Sequence, residues 1–181
     1  MAGHNKWSQI KRKKGASDAE RSKLFGKLSR FIVLESKKAA GNVNSPSLRA
    51  AIDKARAFNM PSDNIERAIK KGTGGEAGGL EAILYEAYGP GGAALLIEAL
   101  TGNRNKAASE IKHILSEHGT SLGGIGSAAW AFEKVEGEWR PKVEVPLAPG
   151  DEEKLGALIA ALEENDEVQD VYTNAAKTDG E

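Results

Sequence analysis

Gly119-Thr120-Ser121-Leu122-Gly123 has the Gly-x-Ser-x-Gly spacing that presents a nucleophilic serine on a sharp turn. That turn needs a strand entering and a helix leaving, and the local pattern here is the reverse. In that fold a catalytic histidine also follows the serine, whereas His4, His113 and His118 all precede Ser121. The motif therefore reads as a connecting loop. Gly72-Thr73-Gly74-Gly75-Glu76-Ala77 fits the letters of a dinucleotide-binding turn, but it follows a helical segment and has no β-α-β unit around it, so it reads as a linker. His113, Glu117 and His118 approach a metal-ligand spacing without matching either zinc-protease order. Histidine near a helix C-terminus more simply serves the helix dipole. The carboxylate pairs Glu163-Glu164 and Asp166-Glu167 have no catalytic partner in view and read as solvated surface. These readings assign no catalysis, no cofactor and no metal.

The basic residues behave differently, because independent features agree. The 181-residue chain sums to a net charge of −1, yet through Gly75 it carries 17 basic and 6 acidic residues, and from Glu76 onward 8 basic and 20 acidic. The first part is +11 and the second −12. A local field of that strength is an electrostatic footprint for a polyanion, whatever the sum. Lys6, Lys11, Arg12, Lys13 and Lys14 lie in an N-terminal arm, and Arg21 opens a helix on which Lys23, Lys27, Arg30 and Lys37 share a face. Lys70 and Lys71 add a further pair, and Trp7 within Lys6-Trp7-Ser8 could stack on a base or ribose. Asn103, Arg104, Asn105 and Lys106, with the Tyr85 to Gly92 hairpin, make a second candidate contact region. The competing reading is an interaction scaffold whose basic helices bind an acidic protein surface. In it Trp7 and Ile10 merely dock the arm, and for Trp7 alone docking is the favoured role.

These side chains need elements to position them. Residues 1–16 hold only Trp7 and Ile10 as sizeable apolar groups and form an arm. Ser17-Asp18-Ala19-Glu20 is a capping box that starts a helix reaching about Ala40, with Leu24, Phe25, Leu28, Phe31 and Ile32 as its apolar stripe and Gly41 as its stop. Ser45-Pro46 opens a second helix with Leu48, Ala51, Ile52, Ala55 and Phe58 inward, ended by Asn59-Met60-Pro61. A third begins near Ser62 and ends at Lys71. The spacing thus predicts a helical domain over 17–71, a glycine-rich linker over 72–79, a second domain over 80–175 and a tail over 176–181.

After the linker the period changes to two. Strands are expected at 82–88 and 93–100, a helix at 103–118, strands at 127–135 and 139–145, a helix at 151–164 and a strand at 168–173. The order β-β-α-β-β-α-β predicts an α+β sandwich with helices on one face of a mainly antiparallel sheet, so the whole is an α+β chain headed by three helices. With no cysteine there is no disulfide framework, zinc ribbon or thiol nucleophile. No apolar stretch suits a bilayer span, and the start lacks a secretory core. The expectation is a cytoplasmic, monomeric protein with nucleic acid as partner and no membrane association.

Particular strings then matter. Ala-Gly-His-Asn-Lys-Trp-Ser-Gln-Ile-Lys (2–11), Asn-Met-Pro-Ser-Asp-Asn-Ile-Glu-Arg-Ala-Ile-Lys-Lys-Gly-Thr-Gly (59–74), Tyr-Glu-Ala-Tyr-Gly-Pro-Gly-Gly (85–92), Thr-Gly-Asn-Arg-Asn-Lys (101–106) and Asp-Glu-Val-Gln-Asp-Val-Tyr-Thr-Asn-Ala (166–175) closely resemble the YebC family. That family includes the mitochondrial translational activator of cytochrome oxidase subunit I. The resemblance implies a cytoplasmic gene-expression factor without catalysis, either a DNA-binding transcriptional regulator or a translation factor associated with the ribosome and its RNA. Ala87 and Gly102 stand where the family usually has glycine and aspartate. Family members also carry a further α/β domain between the strands near Phe132 and Trp139, and here Glu133 to Glu138 bridges that place, which implies a short form.

Overall fold

The computed structural model describes residues 17–75 and 78–176. They fall into two compact units, one built from 17–81 with 100–103 and the other from 82–99 with 104–176.

The first unit is helical, with α1 (Asp18–Lys38), α2 (Pro46–Ala57) and α3 (Ser62–Thr73). The Ser17 hydroxyl accepts from the Glu20 amide while the Glu20 carboxylate accepts from the Ser17 amide, so the expected capping box is formed. α1 ends in a Schellman turn. Ala40, at φ 47°, takes the left-handed position one residue before the expected Gly41, whose amide donates to the Ser36 carbonyl at 2.9 Å. Leu24, Leu28 and Ile32 are buried as expected, as are Leu48, Ala51, Ile52, Ala55, Ile65 and Ala68 on the two helices that α1 contacts, whereas Phe25, Phe31 and Phe58 are half-buried. α3 runs through Gly72 to Thr73, two residues into the segment expected to be linker. A side chain at Gly72 is excluded by close packing, since its Cβ would stand 2.6 Å from the Ser36 Cβ and 2.7 Å from the Val33 carbonyl oxygen. The Ser36 hydroxyl donates to the Ile69 carbonyl at 2.8 Å and fastens α1 to α3 at the same level.

The second unit follows the order β1 (Glu81–Tyr88), β2 (Ala94–Thr101), α4 (Arg104–Glu117), β3 (Phe132–Val135), β4 (Glu138–Pro141), α5 (Pro149–Glu164) and β5 (Val168–Thr173). This is the expected β-β-α-β-β-α-β sequence in an α+β fold. The strands form two sheets, a three-stranded one in the order β1-β2-β5 and a separate β3-β4 hairpin. β2 and β5 pair antiparallel, Ile97 opposite Val171, and the β3-β4 register sets Val135 opposite Glu138. β3 and β4 are shorter than expected because 129–131 form a 3-10 turn and the chain leaves the ladder after Pro141.

The central strand is buried on both faces. Leu95, Ile97 and Ala99 pack with Ile111 and Leu115 of α4 and Leu155, Leu158, Ile159 and Leu162 of α5. Ala94 and Leu96, pointing the other way, meet Ala128, Ala131, Phe132 and Trp139. That is why β2 is apolar at nearly every position, with Glu98 the one charged residue in it, rather than alternating. The hairpin therefore forms a third layer instead of extending the sheet. Its two-residue turn, Glu136 at φ 52° and Gly137 at φ 87°, is left-handed at both positions, as the twist of a tight hairpin requires.

Buried polar groups tie the layers together. The Asn174 side chain, 2% exposed, accepts from the Ala94 amide at 2.7 Å and donates to the Val143 carbonyl at 2.9 Å. Burial and the nearby Asp170, Glu98 and Glu138 charges push the Tyr172 phenol well above its ordinary range.

Candidate nucleic-acid interface

α1 carries five of the expected contact residues. Arg21 and Lys37 are exposed, while Lys23 and Arg30 are half-buried. Lys27 is 3% exposed, and the continuous cationic ridge expected from the spacing is broken there. Further along the helix, Ile32 through Ser36 are all buried. Five consecutive residues cover more than one full turn, so the helix is enclosed on every side at that level and a two-faced reading fails.

α3 presents Arg67, Lys70 and Lys71, all exposed. Arg67 was not among the expected contacts, although its position three and four residues before Lys70 and Lys71 puts all three within one helical turn of each other. Its guanidinium is held locally, Nε donating to the Asp63 carbonyl at 3.3 Å and Nη2 to the Asn64 side-chain oxygen. Arg30 is tethered as well, its Nη1 donating to the Leu100 carbonyl at 3.3 Å. Arg30, Arg67 and Lys71 line one cavity of about 600 Å³ within the helical unit. Among the described residues, no carboxylate lines it.

Thr101 and Asn103 exchange a pair of 2.9 Å hydrogen bonds, the Thr101 hydroxyl donating to the Asn103 carbonyl and accepting from its amide. Asn103, Arg104, Asn105 and Lys106 are exposed. Arg104 and Lys106 occupy the first turn of α4, against the macrodipole preference for anions, so that helix end is strongly positive. Lys106 is partly neutralised, with Nζ 2.9 Å from Glu167 and 3.8 Å from Glu110. In the expected hairpin contact region Tyr85 is half-buried against the sheet core. The Tyr88 hydroxyl donates to the Ser127 carbonyl at 2.6 Å and accepts from the Trp130 indole at 2.9 Å.

Sequence reasoning also missed Glu86. This carboxylate, 6% exposed, sits in β1 and accepts three backbone amides, Gly126 at 2.7 Å and Ala128 and Ala129 at 2.8 Å. Burial alone would raise its proton affinity, but the three amides outweigh it and hold the carboxyl below the ordinary range. The 123–129 loop so anchored follows directly on the Gly-x-Ser-x-Gly string and carries the fully exposed Ile125. His113 faces Glu117 at 3.5 Å, whereas the His118 ring contacts the Ile114 carbonyl at 2.9 Å, so the two histidines do not converge. Lys6, Trp7, Lys11, Arg12, Lys13 and Lys14 lie outside the described residues.

A cationic three-helix unit in the same chain as an acidic α+β unit, with basic groups on all three helices, defines an α+β class of architecture, and no described helix is long and apolar enough to cross a bilayer. Comparison with known proteins specifies the class. The TACO1/YebC N-terminal domain matches residues 5–75, and the TACO1/YebC second and third domain matches 80–137 and 132–175. The chain belongs to the TACO1/YebC family. It is 40% identical to a Fervidobacterium nodosum protein named "Probable transcriptional regulatory protein", over 242 positions covering 100% of this chain and 96% of that one. A Rubrobacter xylanophilus protein of the same name is 49% identical over 172 residues, 93% of this chain and 67% of that one. The crystal structure of a conserved hypothetical protein of Aquifex aeolicus, Aq1575, superimposes with a TM-score of 0.84 at 32% identity, covering 97% and 98% of the two chains. The first alignment sets 242 positions against 181 residues, a difference of 61. The two segments matched by the second-and-third-domain model overlap at 132–137, which is β3 and the turn into β4.

Proposed function

We propose that this protein is a nucleic-acid-binding regulator of gene expression that works without catalysis, through contacts of its basic arm and helical unit with phosphates. The observation that carries the reading is the segregation of charge, +11 through Gly75 against −12 after it. The names of the Fervidobacterium and Rubrobacter relatives support a regulatory role. Arg and Asn side chains at 103–106 suit phosphates, sugars and base edges alike, so the target is DNA or a shaped RNA such as ribosomal RNA, and the acting place is the cytoplasm. The sequence between the first three helices lacks the turn chemistry of a helix-turn-helix reader, which favours shaped RNA and a ribosome-associated role over a short operator.

The test is a titration of duplex DNA, structured RNA and ribosomes over a salt series. Phosphate binding predicts a fall in log affinity of about 0.9 per contact per log unit of salt on duplex DNA, or about 0.7 on single strands. Replacing Lys11, Arg12, Lys13 and Lys14 by alanine should lower that slope and the affinity without changing the melting temperature. A flat, weak response to every polyanion, with tight binding to an acidic protein instead, would establish the scaffold reading.

A further inference from the structure

The cavity in the helical unit has walls with a shared arithmetic. α1 contributes Gly26, Ser29, Arg30 and Val33, and α3 contributes Asn64, Arg67, Ala68 and Lys71. Each set falls at i, i+3, i+4 and i+7, so each is a single helical face. Arg30, Arg67 and Lys71 bring three positive charges, Ser29 and Asn64 two hydrogen-bonding groups, and Val33 and Ala68, with Leu80 from the segment after α3, an aliphatic patch. At about 600 Å³ the space lies within the range of small-molecule sites, roughly 300–1,000 Å³.

Gly26 is a second, independent observation. It is exposed near the middle of the 21-residue α1, where glycine costs a helix roughly 1 kcal/mol relative to alanine. A Cβ placed there would meet nothing within 4 Å. Packing within the protein therefore does not demand a glycine, in contrast to Gly72. Gly102, which also lines the cavity, is equally unobstructed. Two glycines thus line a space that, among the described residues, no side chain fills.

We infer that this cavity binds one nucleoside 5′-phosphate unit, with Arg30, Arg67 and Lys71 engaging the phosphate and Val33, Ala68 and Leu80 receiving the nucleoside. A bare anion would leave the aliphatic patch unused, and an apolar ligand would leave the three cationic side chains unused. A nucleoside phosphate satisfies both, and arginine's planar fork suits phosphate oxygens. This assignment rests on the nucleic-acid reading above and deepens it. The unit can come from a free mononucleotide or from one nucleotide of a single strand.

Calorimetric titration of the full chain at low salt distinguishes these sources, using adenosine 5′-monophosphate, adenosine, inorganic phosphate and a 5′-phosphorylated single-stranded decanucleotide. The expected result is that the mononucleotide or the decanucleotide binds at least tenfold more tightly than adenosine or phosphate. Equal affinity for the two assigns a free-nucleotide site, and binding of the decanucleotide alone assigns a strand site. Gly26→Leu narrows the mouth and Gly102→Asp adds a carboxylate to the wall, each leaving every cation in place. Both should weaken binding at least tenfold, and Lys71→Gln, at an exposed position, supplies a third variant that does not depend on new packing. Nucleotides binding no better than phosphate, or all three folded variants binding like the wild type, overturns the assignment. Structured RNA titrated on the same variants separates the two levels. RNA binding unaffected by the variants removes the cavity and leaves the regulator reading standing, whereas no binding of any nucleic acid removes both.

Discussion

Replacing Glu86 by glutamine isolates the carboxylate that anchors the 123–129 loop. Oε2 accepts the Ala128 and Ala129 amides, and Oε1 accepts Gly126. Glutamine has one acceptor oxygen. Placed at the Oε2 position it keeps two bonds, now neutral rather than charge-assisted, and sets its amide group against the Gly126 donor. Losing one bond to a charged acceptor costs about 1.5–3 kcal/mol, and weakening the other two about 0.5 kcal/mol each, so the expected loss is about 3 kcal/mol at pH 7. For a chain of this length that is a fall in melting temperature of roughly 6–12 °C. The pH dependence has a definite sign. The folded carboxyl lies below its ordinary value of 4.5, so its contribution is fully present above that value and fades as pH drops through the folded one. The gap between wild type and variant should therefore narrow below about pH 4.5. Urea unfolding followed by the fluorescence of Trp130 and Trp139, both in this unit, measures it. A difference under about 0.5 kcal/mol at pH 7, or a gap that stays constant into acid, would refute the account.

Two further perturbations test the packing. Gly72→Ala should destabilise by about 1–3 kcal/mol, because its Cβ meets the Val33 carbonyl and Ser36, whereas Gly26→Ala should stabilise by roughly 1 kcal/mol; changes of the same sign in urea unfolding would show that the contacts are misjudged. Asn174→Ala strands the buried Ala94 amide and should lower stability by about 2–3 kcal/mol, and a loss below about 0.5 kcal/mol would mean that water or another group replaces the clamp.

Much of the architecture was legible before the structure. β5 falls on 168–173 as its pattern indicates, and α1 starts where the capping box says it must. Such features are local, since an alternation or a cap is complete within a few residues. Lys27 and the hairpin were not legible in the same way. Burial of Lys27 depends on what other segments pack over that position, which a periodicity within α1 alone cannot report. The strands at 132–135 and 138–141 read as part of the main sheet because alternation records one buried face without saying which sheet pairs with it.

The candidate site divides along the same line. Sequence alone determined the opposite charges of the two parts, the family to which the strings belong, and the helical faces on which Arg30 and Lys71 stand, because each is a property of residue type and short-range order. Only tertiary structure decided that Arg30, Arg67 and Lys71, up to 41 positions apart along the chain, line one cavity free of carboxylates among the described residues. It also decided that Glu86 anchors a loop some 40 residues downstream. The physical reason is that both depend on desolvation and direction. A side chain's charge is written in its letter, whereas what that charge faces is fixed only when distant segments pack against one another.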